Sequence, residues 1–418
     1  MSTRPPATDW ATDFDHLDPR WSENPYPIWD ELRQSCPIAH TERFMGAYFP
    51  SRYEDVRAIA YDTEHFSSRR PVVRESRPPL LPAPPITSDP PAHRPAKQVL
   101  LPAFTPEMIG RHEPRTRDIC RELIGRIAGK GSCDGAVEYA QEIPVRVIAH
   151  MLGVPEGDAD QFRKWIKEIL EIGVTDYDVL MRAQGEMVAY FAEKIAARRT
   201  SPRDDLIGYL INVRIDDRPF PDEHINGMLR LLMIAGIDTT WSAIGSCLWH
   251  LAQHAQDRRR LAADPSLMGA AVEEFLRAYA PVTMAREVVK ETQINGCTFK
   301  PGQMILLSFP AANRDPAMFP DADRVIIDRE QNRHAAFGLG IHRCIGSNLA
   351  RMEIRGSARG MAGALPRIPP RSAGAGDVVG RHRARTAPAA AAVGRVIPSA
   401  ANVNCAPETF VSAIVTKA

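Results

Sequence analysis

The chain has 418 residues, 44% of them hydrophobic, with 52 Lys+Arg set against 51 Asp+Glu. That balance excludes recognition of nucleic acid through bulk charge, and no run reaches the roughly 18 consecutive apolar residues of a membrane-spanning helix. Seven scattered cysteines (36, 120, 133, 247, 297, 344 and 405), odd in number and with no C-x-x-C pair, point to a reducing compartment and away from a disulfide framework.

Residues 1–20 are polar and Pro-bearing, with no apolar leader, and read as a loose lead-in to a soluble, cytoplasmic protein. Pro25 to Gln34 starts at a proline and reads as a short helix. Gly46 to Ser51 followed by Tyr53–Val56 suggests a strand turning into a helix. Ser67 to Pro91 is rich in Pro and Arg and lacks a clean period, so it is a loop, of a length that often carries function. Asp89 to Lys97 then opens a helix to about Ala103, with His93 and Lys97 one turn apart.

Residues 107–130, 141–153, 158–172 and 178–199 carry apolar residues three and four apart and read as helices. Asp222 to Leu251 is the longest helical stretch. Its centre, Ala235-Gly236-Ile237-Asp238-Thr239-Thr240, breaks an apolar run with residues that weaken a helix or compete for its backbone bonds. A sequence that accepts such costs usually does so for function; a kink with satisfied polar groups is the alternative. Glu274 and Arg277 share one helix face at i,i+3. Pro281 to Phe309 alternates around Gly296 and Pro301-Gly302 and reads as short strands and turns.

Phe337-Gly338-Leu339-Gly340-Ile341-His342-Arg343-Cys344-Ile345-Gly346 stands just before a helical pattern over Ser347–Arg355. Glycine allows tight turns and close approach to a flat partner. A cysteine at a helix mouth meets outward-pointing N–H groups, a setting that lowers a thiol's pKa and favours the metal-binding thiolate. A buried structural cysteine in a Gly-rich loop is the alternative reading.

This stretch resembles the haem-ligand loop F-G-x-G-x-H-x-C-x-G of the cytochrome P-450 family, with every fixed position present. The resemblance implies a mainly α fold with a small β region, built around one b-type haem (heme b, iron protoporphyrin IX). It implies Cys344 as the iron ligand, with Phe337, Gly338 and Gly346 in the loop that cradles it. His93 matches a propionate-facing position, and Lys97 stands where the family has Arg, without the bidentate fork. Arg286 and His342 complete the propionate set. Ala235 and Gly236 would leave room over the iron, and Asp238 and Thr239 would deliver protons to dioxygen. Glu274, Arg277 and Arg329 would lock the fold behind the haem. The residues between 158 and 199 would form a lid.

The implied activity is a monooxygenase that inserts one oxygen atom into a small apolar organic substrate. Its electrons would come from a ferredoxin and ferredoxin reductase docking near Arg343 and Arg351, with the enzyme a monomer that binds no membrane. Two other readings stay open: a peroxide-using haem-thiolate enzyme, and a non-catalytic or inactive haem protein.

The resemblance covers residues 21–355 and then stops. Residues 356–418 are rich in Ala, Arg, Pro and Gly and lack the family's continuing helix and strand hairpin. Arg359–Ala364 can be encoded so that reading one base later gives Glu-Glu-Trp-Leu-Ala, a family-like helix ending. The sequence therefore reads as shifted in frame after about Arg355, with 371–418 irregular; a genuine divergent ending is the alternative.

Overall fold

The helix Asp222–Gln253 runs through the centre of the protein, buried on nearly every side between Ile225 and Leu251. By length and composition it could cross a membrane, yet 72% of its most apolar window lies inside the protein. The helices Glu142–Leu152, Tyr177–Thr200 and Ser347–Ala364 pack around it. Gly236 permits the first of these contacts. A Cβ there would lie 2.7 Å from Ile148 Cδ1, so the small residue serves helix packing as well as cavity space. This computed structural model describes residues 5–75, 81–128, 133–215 and 217–364.

The architecture is mainly α with a small β region. The main sheet has five strands in the order Ile38–Thr41, Ala47–Pro50, Met304–Ser308, Thr283–Val288, Phe66–Ser67. Neighbours are antiparallel except Ala47–Pro50 and Met304–Ser308, which run parallel. Met304–Ser308 is buried at every position, as an interior strand with two covered faces requires. Its register sets Arg286 opposite Ile305. A separate hairpin, Thr292–Ile294 with Cys297–Phe299, turns on Asn295-Gly296, both at positive φ.

Several elements differ from the sequence reading. The helix expected over 107–130 is two, Pro106–Gly110 and Glu113–Ile127, the second started by Pro114. The strands Ile38–Thr41 and Phe66–Ser67 and the helices Leu206–Asn212 and Ala255–Ala263 had not been foreseen. The described part of the lead-in is not loose. Phe14 is fully buried against Trp21 and Phe49, while Arg43 binds Asp13 at 2.7 Å and Asp15 at 2.9 Å. The cation lies 30 and 28 residues beyond these acids, so local sequence pattern does not mark the pairing.

The helix expected to end at Arg355 continues to Ala364 and buries Ser357, Ala358 and Met361. Its glycines bring it close to Glu113–Ile127: a Cβ on Gly360 would stand 3.0 Å from Ile124 Cδ1. The expected irregularity of 371–418 lies outside the described residues.

Beneath the central helix, Met268–Ala278 carries a fully buried ion cluster. Arg277 grips Glu274 through two bonds of 2.8 Å. Arg329 Nε, Ile326 N and Asn332 Nδ2 donate to the same carboxylate at 2.9, 2.8 and 3.1 Å. The remaining Arg277 donors reach the carbonyls of Asn313, Ala322 and Arg324. One acid thus anchors the long segment 313–332 to a helix. Glu274→Gln should leave two buried guanidinium groups short of charge and cost about 3–5 kcal/mol, read as a lower midpoint in chemical unfolding; a change within experimental error would remove the cluster's structural role.

Candidate active site

Between the central helix and the cysteine loop lies a cavity of about 450 Å³. The loop reaches it by two turns. Gly338 and Gly340 have φ of +69° and +67°, and a Cβ on Gly340 would fall 2.3 Å from the Ala60 carbonyl oxygen. Glycine is therefore required there by both conformation and space. Gly346 is different: a Cβ would make ordinary contacts at 3.8 Å with Cys344 Sγ. Cys344 N–H donates to Phe337 O at 2.7 Å, closing the loop on itself.

Cys344 opens onto the cavity. The protein packed around it pushes its thiol above the ordinary range, against the Gly346 N–H and the cations Lys97, Arg351 and Arg343, which act to lower it. This corrects the expectation of a thiol lowered by its helix mouth: desolvation outweighs the backbone donors. A metal ion supplies the charge that reverses this, since a coordinating thiol is deprotonated outright.

Ala235, Gly236, Asp238 and Thr239 form part of the same cavity's lining. Asp238 is buried. Thr239 Oγ1 donates to Ala235 O at 2.7 Å, which commits the hydroxyl hydrogen to the helix and turns the oxygen's lone pairs outward.

His93, Lys97, Arg286 and His342 also line the cavity. The two imidazoles meet edge to face at 4.5 Å, and Nε2 of each is buried without a partner. Burial, with Arg286, His93 and Lys97 nearby, pushes His342 down to about 3. Burial likewise lowers His93 and brings Arg286 to about 10 against the pull of Asp89. Lys97 Nζ donates to Ile341 O at 2.5 Å and Arg343 O at 2.9 Å. It ties its helix to the cysteine loop, a role the sequence did not suggest.

Arg351, near which partner docking is expected, has a role inside the protein. It binds Glu273 through bonds of 2.6 and 2.8 Å and lies 4.4 Å over the Phe337 ring, while His334 meets the same carboxylate at 3.1 Å. It is a strut under the loop. Arg343 remains exposed. The sequence reading also passed over Arg74 and Arg230, which line the cavity; an arginine inside an apolar helix was the available signal for the second.

The Cytochrome P450 family model matches residues 145–356. The mycinamicin IV hydroxylase/epoxidase of Micromonospora griseorubida is 32% identical over 348 residues, covering 81% of this chain and 87% of that one. The chain belongs to the cytochrome P450 family. The vitamin D(3) 25-hydroxylase of Pseudonocardia autotrophica is 35% identical over 341 residues, 80% of this P450 and 84% of the relative. The solved structure of the cytochrome P450 PksS of Bacillus subtilis superposes with a TM-score of 0.78 at 28% identity, covering 84% of this chain and 92% of the other.

As a P450 the chain is a monooxygenase, an oxidoreductase, and its family implies a haem. The residues present fit one. Two buried imidazole nitrogens lack partners beside Arg286 and Lys97, the donor set an acidic porphyrin edge needs. Among the described residues, the one cysteine lining the cavity lies in the adjoining loop.

The strut under that loop is pH-sensitive. Burial acts to raise Glu273, but Arg351 and His334 overcome it and hold the carboxylate at about 2, below its ordinary 4.5. A depressed carboxylate stabilises the fold above its unfolded pKa and loses that contribution as pH falls through the folded one. Stability should therefore fall between about pH 4.5 and 2, and Glu273→Gln should flatten that part of the curve in urea melts; an unchanged curve would count against the strut.

Proposed function

We propose that this P450 binds haem b and inserts one atom of dioxygen into an apolar organic substrate held in the cavity. Electrons would come from a separate ferredoxin and ferredoxin reductase, with the enzyme acting as a cytoplasmic monomer. One observation carries the reading: a single cavity is lined by Cys344 and by the Ala235–Thr239 segment.

In this reading Cys344 is the iron's thiolate ligand, and His93, Lys97, Arg286 and His342 hold the propionates. Phe337, Gly338 and Gly346 shape the loop. When bound, the haem supplies the redox chemistry with dioxygen, and a thiolate ligand pushes electron density toward it. The chain's own contribution is positioning and proton control. Thr239 Oγ1, its hydrogen given to Ala235 O, accepts a hydrogen bond from a water in the cavity. Asp238 holds and passes the proton. Walls of Leu, Ile and Met side chains keep other water out. The mycinamicin IV and vitamin D(3) relatives, named for hydroxylation and epoxidation, support those reaction types.

The test is reconstitution of the haem-loaded protein with a ferredoxin and its reductase under isotopically labelled dioxygen. One labelled oxygen atom should enter each product molecule. Thr239→Ala should keep oxygen consumption but divert most reducing equivalents to peroxide. Label-free product, or unchanged coupling in the variant, would contradict the proposal.

A further inference from the structure

Among the described residues, two arginines lining the cavity have no acid against them. Arg230, 7% exposed, donates Nε to Asn226 Oδ1 at 3.1 Å and Nη2 to the Pro82 carbonyl at 2.8 Å. Arg74 donates Nη1 to the Gly173 carbonyl at 2.6 Å, in the turn between the helices Ala159–Leu170 and Tyr177–Thr200. Every one of these partners is neutral. Burial lowers the pKa of both groups, and no acid opposes it. Among the described residues, Asp238 is the one carboxylate lining the cavity.

These charges are more than the observed bonds require, since a neutral amide could donate to a carbonyl without the cost of desolvating a cation. The surroundings are apolar: Leu180, Met187, Leu232, Ile234 and Val282 line the same space. An ionised carboxylate entering it would form a charge-assisted bond in a poorly hydrated site, where such bonds are strongest. Arg230 stands five residues before Ala235, about 7.5 Å along the helix axis at 1.5 Å per residue. A group bound at Arg230 would therefore sit away from the stretch lining the cavity with Cys344, with apolar walls between.

We propose that the substrate is an apolar molecule bearing a carboxylate, which Arg230 binds at the far end of the cavity, with Arg74 supplying a second positive group beside the lid turn. This rests on the proposed function, because it takes the cavity to be the substrate site. It narrows the substrate class from apolar to amphipathic and anionic. Arg230 and Arg74 act as specificity-determining residues and take no part in the bond-breaking steps.

Dodecanoate and dodecanol, equal in chain length, serve as probes in calorimetric titrations of the haem-loaded full chain at neutral pH. Dodecanoate should bind about tenfold or more tightly than the alcohol, the increment expected of one charge-assisted bond. Arg230→Gln keeps an amide for Pro82 while removing the charge and should abolish most of the preference; Arg230→Lys should retain part of it. Arg74→Gln should reduce it, and this surface-reaching site provides a second test should the buried variant fail to fold. Equal affinities, binding of neither probe, or a preference that survives both glutamine variants would overturn the proposal. The reduced carbonyl spectrum of the same samples separates the outcomes. A thiolate-type spectrum with no acid preference sinks this inference alone, and loss of that spectrum sinks the haem-thiolate reading beneath it.

Discussion

The site depends on holding one cysteine against a cavity from a loop with little conformational preference of its own. Three glycines in ten residues leave the segment 337–346 free to adopt many shapes, so its geometry comes from outside. Lys97 binds two of its carbonyls, and Ala60 leaves no space for a side chain at Gly340. Arg351 reaches from the next helix to stack on Phe337 while Glu273 holds it from below. Glu274, one residue on, ties down the chain segment that leads into the loop. Two neighbouring acids on one helix thus fix the approach and the floor of the cysteine loop.

The same site gathers polar groups that the protein does not fully pair, among them Nε2 of His93 and of His342. His93, His342, Arg286 and Lys97 gather on the cavity wall beside Cys344, and burial weakens the charged form of each. Desolvation by the protein packed around Cys344 acts on its thiol in the same sense, raising it. In the proposed reading, a haem would bring an anionic edge to Arg286 and Lys97 and a metal to the sulfur.

Much of this was legible in the sequence, for reasons that can be named. Gly338 and Gly340 occupy positive-φ positions that other residues rarely adopt, and the polar break at Asp238–Thr239 stands out against thirty apolar-rich residues. The long helix, the paired Glu274 and Arg277, and the strand run after Pro281 follow from local periodicity. What escaped was non-local. Lys97 finds its acceptors 244 and 246 residues away, and Arg351 its carboxylate 78 residues back. The strand Ala47–Pro50 pairs with Met304–Ser308 across the length of the chain. The thiol's shift was misread because a helix mouth is visible in sequence and desolvation is not. The helix past Arg355 was missed because the composition turns to Ala, Arg, Pro and Gly there, whereas Gly360 makes room for a neighbouring helix.

The central claim is that Cys344, alone among the cysteines, ligates a haem iron through sulfur. The most direct measurement is the carbon monoxide difference spectrum of the reduced, haem-loaded protein, taken beside Cys344→Ser and single serine variants of Cys36, Cys120, Cys133, Cys247, Cys297 and Cys405. The account predicts the red-shifted Soret band of a thiolate-bound carbonyl haem in the parent and in those six variants, and its loss in Cys344→Ser. A thiolate-type band that persists in Cys344→Ser would contradict it.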